Sequence, residues 1–135
     1  MGAEYLADSN AVIDLVLGRL PLVSAGWLDQ RLNQQLVAVF VITRIELLTK
    51  TEPASEYAFM QSFVQSVEVL PFDEPVVQQT IRLRQQHRIK LPDAIIAATA
   101  LVHGLALLTR NTADFQRVAG LVVVDPHAPA QLPAR

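Results

Sequence analysis

The chain has 135 residues, 51% of them hydrophobic and 18% charged, which fits one folded domain and excludes a disordered chain. Its 11 Lys and Arg against 13 Asp and Glu give a net charge of −2, which excludes coating of nucleic acid through bulk positive charge. The absence of cysteine excludes thiolate zinc sites, so a bound metal should be a hard cation held by oxygen.

The expected limits of the domain follow from the same composition. We predict one domain over residues 1–135, with a loose proline-rich tail over residues 126–135. The longest apolar stretch, residues 94–108, is shorter than the roughly 20 residues of a membrane-spanning helix. The N-terminus lacks the pattern of a signal peptide. We therefore expect a cytoplasmic location and no membrane partner.

The chain begins with a short strand followed by a helix. Residues 5–7 form an apolar run that ends at Asp8, and the next helical pattern covers residues 11–17. Ser9 or Asn10 can cap that helix, because both side chains accept hydrogen bonds from free backbone N–H groups.

Helical and strand patterns continue to alternate through the middle of the chain. Residues 24–32 have the spacing of an amphipathic helix. Residues 36–42 are rich in β-branched residues and too short for an ordinary helix, which predicts a strand buried on both faces and followed by a helix. A helix over residues 53–65 and a brief strand over residues 67–70 come next.

The last third of the chain contains an unusually apolar helix. After a helical pattern over residues 74–87, Asp93 opens a helix that is apolar nearly all round and ends at Gly104. Residues 105–108 and 121–124 complete the set as short buried strands. Alternating strands and helices predict an α/β fold, a three-layer α/β/α sandwich around a parallel sheet of four to five short strands.

Four acidic residues fall near the ends of the predicted elements. Asp8 follows the first strand, Glu46 comes four residues after the second, Asp114 follows a later strand, and Asp93 heads the apolar helix. Parallel strands end at one edge of a sheet, so these acids can converge there. Because clustered carboxylates repel one another, a divalent cation such as Mg²⁺ would stabilise them and could assist phosphodiester hydrolysis.

Each acid also has a purely structural explanation. Thr43 and Glu46 fit a capping box, and Asn111 can cap a first turn that contains Asp114. The other two acids can be a turn residue and a first-turn helix residue. Taken singly, these explanations are at least as good as a metal site, and only the shared placement favours the site.

The chain resembles the PIN-domain family, and more narrowly the VapC-type toxin ribonucleases of toxin–antitoxin pairs. The resemblance covers nearly the whole chain in order, and the two long C-terminal motifs are the most specific. The matching segments are LADSNAVI (6–13), VITRIELL (41–48), LPDAIIAATALVHG (91–104), LLTRNTADF (107–115) and GLVVVDP (120–126). Ser9 stands where threonine is common in the family, a departure that keeps the hydroxyl.

The resemblance implies a function and a set of site residues. It implies RNA cleavage with Mg²⁺ or Mn²⁺, a homodimer, and a cognate antitoxin that covers the active-site region. The residues in the family's acidic metal and catalytic positions are Asp8, Glu46, Asp93 and Asp114. The supporting polar residues are Asn10 and Thr109, with Asn111 capping or bracing the loop that carries Asp114.

Two further surfaces fit this function, although a solvated helix face and ordinary core packing explain them as well. Basic residues near the acids could contact RNA phosphates. These candidate phosphate contacts are Arg84, Arg88, Lys90 and Arg110. Apolar residues of the first two helices could form an antitoxin groove, with Leu15, Trp27 and Leu28 as candidates.

Rival functions remain open on the sequence alone. A receiver-like phosphoacceptor domain also carries acids at strand ends, but it needs a lysine just after a late strand, and Lys50 and Lys90 are not so placed. An inactive PIN-fold binding module would show the same patterns, and so would a PIN nuclease that processes RNA without an antitoxin. The sequence names neither the RNA nor the number of metal ions.

Overall fold

A computed structural model describes residues 2–134, which form a five-stranded sheet between two layers of helices. The strands are β1 (Tyr5–Ala7), β2 (Val37–Phe40), β3 (Glu68–Leu70), β4 (Ala106–Leu108) and β5 (Val123–Val124). The helices are α1 (Ser9–Val16), α2 (Leu22–Asn33), α3 (Val41–Thr49), α4 (Ala54–Ser66), α5 (Glu74–Gln86) and α6 (Leu91–His103). Two 3-10 turns cover Thr112–Phe115 and Pro129–Gln131.

The sheet order is β3-β2-β1-β4-β5, and all four pairings are parallel. Alternate residues of the strands point to opposite faces and pack into two separate cores. Tyr5 and Ala7 lie in the core with residues of α1 to α4, whereas Leu6 lies in the core with residues of α5 and α6. The predicted α/β/α sandwich is therefore confirmed, with five strands.

Helix α6 is central, as its composition predicts. Ala97, Ala98 and Ala100 are fully buried, and these small side chains let the helix lie close to the sheet. The helix ends at Gly104, whose φ of 67° is the left-handed conformation that glycine adopts without steric cost. Among residues 2–134, no helix is both long enough and apolar enough to cross a membrane.

Two local predictions were wrong. Residues 41 and 42 were expected to end a strand, yet they form the first turn of α3, because β2 has only the four buried positions that pair with its neighbours. β-branched residues favour strands only weakly, and packing overrides that preference. The cap of α1 is Asp8 rather than Ser9 or Asn10, since the Asp8 carboxylate accepts from the backbone N–H of Ala11 at 2.8 Å.

The C-terminal segment was expected to be loose from residue 126. Residues 126–134 contain the Pro129–Gln131 turn and a contact to α2, and the looseness of this segment stays a prediction. His127 also reaches α1, where its Nε2 lies 2.7 Å from a carboxylate oxygen of Asp14. Arg135 lies outside the described residues, and the single-domain assignment stays a prediction.

Candidate active site

Asp8 lies between the end of β1 and the start of α1, at the carboxyl edge of the sheet. Burial raises the pKa of Asp8 above its ordinary value of 3.8, and the carboxylates of Asp14 and Glu46 raise it further. Hydrogen bonds from the Thr109 side chain and the Ala11 backbone lower the pKa without reversing the shift. The carboxylate is thus held in place while its negative charge is poorly solvated.

Glu46 projects from the middle of α3 towards α1. Its Oε1 accepts a hydrogen bond from the Ser9 hydroxyl at 2.5 Å, which links two helices through residues 37 positions apart in sequence. The capping-box explanation is wrong, because α3 begins at Val41 and Phe40 is its cap residue. Glu46 is the sixth residue of the helix, too far along to reach the free N–H groups of the first turn.

Asp93 occupies the first turn of α6, where the helix dipole favours a carboxylate. Burial raises the pKa of Asp93 above 3.8, and the negative charge of Asp114 raises it further. Lys90 acts in the opposite direction and lowers this pKa. Asp93 is therefore electrostatically coupled to the fourth acid of the predicted set.

Asp114 lies in the 3-10 turn that follows β4. Its Oδ2 accepts a hydrogen bond from the side-chain amide of Asn111. The same asparagine makes no side-chain cap to the turn, so the explanation of this motif as a simple N-cap is wrong. Asn111 also donates its backbone N–H to the Thr109 hydroxyl at 3.1 Å, which ties the turn to the end of β4.

Three of the four acids share one cleft. Asp8, Glu46 and Asp93 line a cavity of about 440 Å³ at the carboxyl edge of the sheet. The predicted supporting residues Asn10, Thr109 and Asn111 line it too, as does Ser9. Asp114 lines a neighbouring cleft of about 350 Å³, which Asp93 also borders. The structure thus brings three of the acids to one cavity and the fourth to its edge.

The chemistry of the donor set fits a divalent cation. Carboxylate oxygens are the ligands that Mg²⁺ takes in proteins, and burial with mutual repulsion raises the pKa of both Asp8 and Asp93. A cation among these groups would relieve that repulsion. Within residues 2–134, no three acidic or histidine side chains stand close enough together to hold a metal ion as they are placed, so the carboxylates of the cleft would have to draw together around one.

Comparison with known proteins identifies the family. The family model described as "PIN domain" matches residues 5–121. The chain belongs to the PIN-domain family. The tRNA(fMet)-specific endonuclease VapC of Shigella flexneri is 33% identical over 90% of this chain and 97% of that protein. The VapC ribonuclease Y4jK of Sinorhizobium fredii is 39% identical over 91% of this chain and 97% of that protein.

Solved structures support the same assignment. The chain aligns with one from a toxin–antitoxin complex of Klebsiella pneumoniae at a TM-score of 0.72 and 32% identity. The alignment covers 91% of this chain and 98% of that one. The recognition of this sequence as a VapC-type PIN domain is therefore confirmed, since the match spans nearly the full length of both chains.

The structure places the four predicted basic residues of the PIN domain at different sites. Arg88 and Lys90 line the neighbouring cleft beside Asp93, together with His87 and Arg117. Arg84 is exposed on α5, and it lines neither of the two clefts that hold the acids. Arg110 faces a different hollow, which it lines with Asp14, Arg19 and three residues of the central cleft. Two of the four candidate phosphate contacts thus lie next to the acids.

The structure places the predicted antitoxin-groove residues at different depths. Leu28 is buried in the core, and Leu15 packs partly against the same core. The indole N–H of Trp27 donates to the carbonyl of Pro133 at 2.7 Å, and the Arg31 guanidinium lies 4.4 Å from the Trp27 ring centroid. Leu28 is therefore too deeply buried to contact an antitoxin, whereas the partly buried Leu15 and Trp27 stay candidates.

Sequence reasoning missed three features of the site. Ser9 was considered as a helix cap and for keeping a hydroxyl, yet it holds Glu46; its position between two predicted site residues was the available signal. Arg117, on the neighbouring cleft, lies just after the turn that carries Asp114. Phe72 lines the central cleft, and nothing in the sequence places it there, because it follows a strand on the far side of β2.

Proposed function

We propose that this PIN domain is a metal-dependent endoribonuclease and the toxin of a toxin–antitoxin pair. One observation carries the proposal: Asp8, Glu46 and Asp93 come from three different elements and line one cleft at the carboxyl edge of the sheet. The relatives are named as endonucleases or ribonucleases and match along nearly their whole length. Carboxylates gathered beside basic side chains suit cleavage of a phosphodiester, which is itself anionic.

The residues that would hold Mg²⁺ or Mn²⁺ are Asp8, Glu46 and Asp93, with Asp114 at the edge of the site. When bound, the cation lowers the pKa of a water and offsets charge that develops on the phosphate oxygens. Asp8 is fixed by Ala11 and by Thr109, so its carboxylate needs little reorganisation on binding.

Supporting residues would set the orientation of the acids. Ser9 holds Glu46 through its hydroxyl, and Asn111 holds Asp114 through its amide. Such contacts fix the rotamers of metal ligands and reduce the freedom lost when the ion binds. Asn10 lines the same cleft with its side chain exposed, where it can contact substrate or water.

The RNA backbone would be drawn to the neighbouring cleft. Arg88 and Lys90 are exposed there and lie beside Asp93, so they can bind a phosphate next to the one that is cleaved. This local positive charge compensates for the net charge of −2 of the chain. Arg84 and Arg110 would contribute at most at longer range.

The proposed partners are an RNA, a cognate antitoxin and a second copy of the chain. The Klebsiella pneumoniae structure is described as a toxin–antitoxin complex, which supports the antitoxin. Since Leu28 is buried, the proposed antitoxin contact comprises the partly buried Leu15 and Trp27 with the exposed apolar residues Leu22 and Val23 at the start of α2. The proposed location is the cytoplasm, where RNA is present.

A cleavage assay tests the proposal. Wild-type protein should cleave single-stranded or structured RNA with Mg²⁺ or Mn²⁺ and lose this activity in EDTA. Asp93→Asn should abolish cleavage with the fold intact by circular dichroism. Asp29→Asn is the matched control, because Asp29 is exposed on α2 away from the cleft, and it should cleave like wild type. Cleavage that persists undiminished in EDTA rejects the mechanism.

A genetic observation separates the toxin from an RNA-processing nuclease. An adjacent upstream reading frame for a small DNA-binding protein, and neutralisation of the nuclease when both are expressed, are expected for a toxin. Cleavage without any neutralising neighbour would favour the processing enzyme and leave the chemistry unchanged.

A further inference from the structure

The central cleft has an apolar wall that the acids do not explain. Phe72, Ile42 and Leu91 line this cleft, and each is 42% to 48% exposed to solvent. Apolar side chains gathered in one cleft beside a few polar groups are typical of a ligand-binding pocket. The wall and the acids belong to one cavity of about 440 Å³.

Phe72 is held in a defined orientation. It lies in the three-residue loop between β3 and α5, and the next residue, Asp73, caps α5 through Val76. The buried Phe40 ring meets Phe72 edge to face, with ring centroids 5.7 Å apart and an interplanar angle of 70°. This contact restricts the Phe72 ring, so that less side-chain freedom is lost when a flat ligand packs against it.

The topology places this ring beside the metal-binding acids. Strands β2 and β3 are paired in parallel, with Phe40 opposite Leu70, so the loop that carries Phe72 leaves the same edge of the sheet as the start of α3. Glu46 comes from α3, and Asp8 follows the adjacent strand β1. A ligand group that packs against the Phe72 ring therefore lies within the same cavity that would hold the scissile phosphate.

We propose that Phe72 is a stacking platform for one unpaired nucleobase next to the cleaved phosphodiester, with Ile42 and Leu91 forming the rest of the apolar wall. This inference rests on the proposed ribonuclease function and deepens it. A nucleobase is the part of an RNA that presents a flat apolar face, and it is joined to the phosphate by a single sugar, so both can occupy one cavity. A base inside a duplex has no free face, so the site selects single-stranded RNA.

The first test measures RNA binding in the cleavage-inactive Asp93→Asn background, with Mg²⁺ and a fluorescent single-stranded RNA. Phe72→Ala should weaken binding about 5-fold or more, in line with the usual loss of one base–aromatic stack. Phe72→Tyr should bind like the parent, and Phe72→Leu, which keeps apolar bulk without the ring, should bind like the alanine variant. The matched control is Phe59→Ala, because Phe59 is 53% exposed on α4 and does not line the cleft.

The second test locates the base. Substrates carrying one abasic nucleotide at successive positions around the cleavage site are cleaved by wild type and by Phe72→Ala. At one position, the abasic substitution should lower the cleavage rate of wild type as much as Phe72→Ala lowers the rate on intact RNA. At that same position it should cause no further loss of rate in Phe72→Ala. Fully additive losses at every position would overturn the proposal. The comparison of Phe72→Tyr with Phe72→Leu decides the question if the alanine variant fails to fold.

Other outcomes are also decisive. If wild type cleaves RNA and Phe72→Ala behaves like Phe59→Ala, the platform is wrong and the nuclease stands. If wild type neither binds nor cleaves RNA with Mg²⁺ or Mn²⁺, both proposals fall. Light scattering on the same samples completes the set, because a change of mass in Phe72→Ala would assign this wall to a second copy of the chain and reject the base.

Discussion

Replacing Asp8 with asparagine should remove activity without weakening the fold. Asparagine is as good an N-cap as aspartate, so the bond from the Ala11 backbone N–H should persist. The buried negative charge disappears, and with it the repulsion from Asp14 and Glu46. Alanine at position 8 would instead lose the cap, which costs about 1 kcal/mol. Metal-dependent cleavage should fall at least about 100-fold in both variants.

The pH dependence of stability follows from the raised pKa of Asp8. In the unfolded chain this carboxyl ionises near 3.8, whereas in the folded protein it ionises at a higher pH. As the pH rises from 3.8 through the pKa of Asp8 in the folded protein, the free energy of unfolding of wild type falls relative to that of Asp8→Asn. Above that pH range the difference between the two free energies stays constant. At pH 7 in EDTA the asparagine variant should thus be at least as stable as wild type.

Thermal unfolding with and without Mg²⁺ checks this prediction. The alanine variant should melt about 3–5 °C below the asparagine variant, the shift expected for about 1 kcal/mol in a domain of this size. Mg²⁺ at about 100 times its wild-type dissociation constant should stabilise wild type by about 2.7 kcal/mol, and each variant by at least about 1.3 kcal/mol less. The reasoning is refuted if Asp8→Asn melts well below wild type in EDTA at pH 7, or if Mg²⁺ stabilises it equally.

Three smaller predictions concern the helix cap, the basic cleft and the half-buried Trp27. Gly104→Ala should lower stability by about 1 kcal/mol because of its φ of 67°, and should leave RNA cleavage unchanged, as thermal melts and rate assays will show. Lys90→Gln should reduce the slope of RNA affinity against salt by about 0.7 in logarithmic units, whereas Arg84→Gln should not change the slope in the same titrations. Trp27→Ala should lose at least about 2 kcal/mol of stability by chemical denaturation, since the ring packs against Tyr5; an unchanged midpoint would contradict this.

The placement of Asp8 and Asp93 could be predicted from the sequence because each follows from a local pattern. Asp8 comes directly after an apolar run, and Asp93 opens a helix whose composition requires burial. The position of Glu46 within its helix could not be predicted, because Val41 and Ile42 look like strand residues and begin a helix only in the folded context. The meeting of these acids at one edge of the sheet could therefore be predicted, while the shape of one of the elements that carry them could not.

Contacts between distant segments account for the remaining differences. The indole N–H of Trp27 donates a hydrogen bond to a carbonyl 106 residues away, and no local sequence pattern reveals such a contact. Phe72 reaches the cleft only because β3 pairs with β2, a fact of strand order rather than of periodicity. Asp114 was grouped with the other acids because it follows a strand, but its turn directs it to a neighbouring cleft. Sequence patterns locate element ends better than they locate side chains.

Binding of Mn²⁺ measured by isothermal titration calorimetry tests the central claim most directly. The claim is that carboxylates from three separate elements hold one divalent cation in the central cleft. Wild type and the Asp29→Asn control should bind Mn²⁺ with the same affinity, and at least about a 10-fold loss is expected for each of Asp8→Asn, Glu46→Gln and Asp93→Asn. Equal Mn²⁺ affinity in wild type and all three variants would contradict the account.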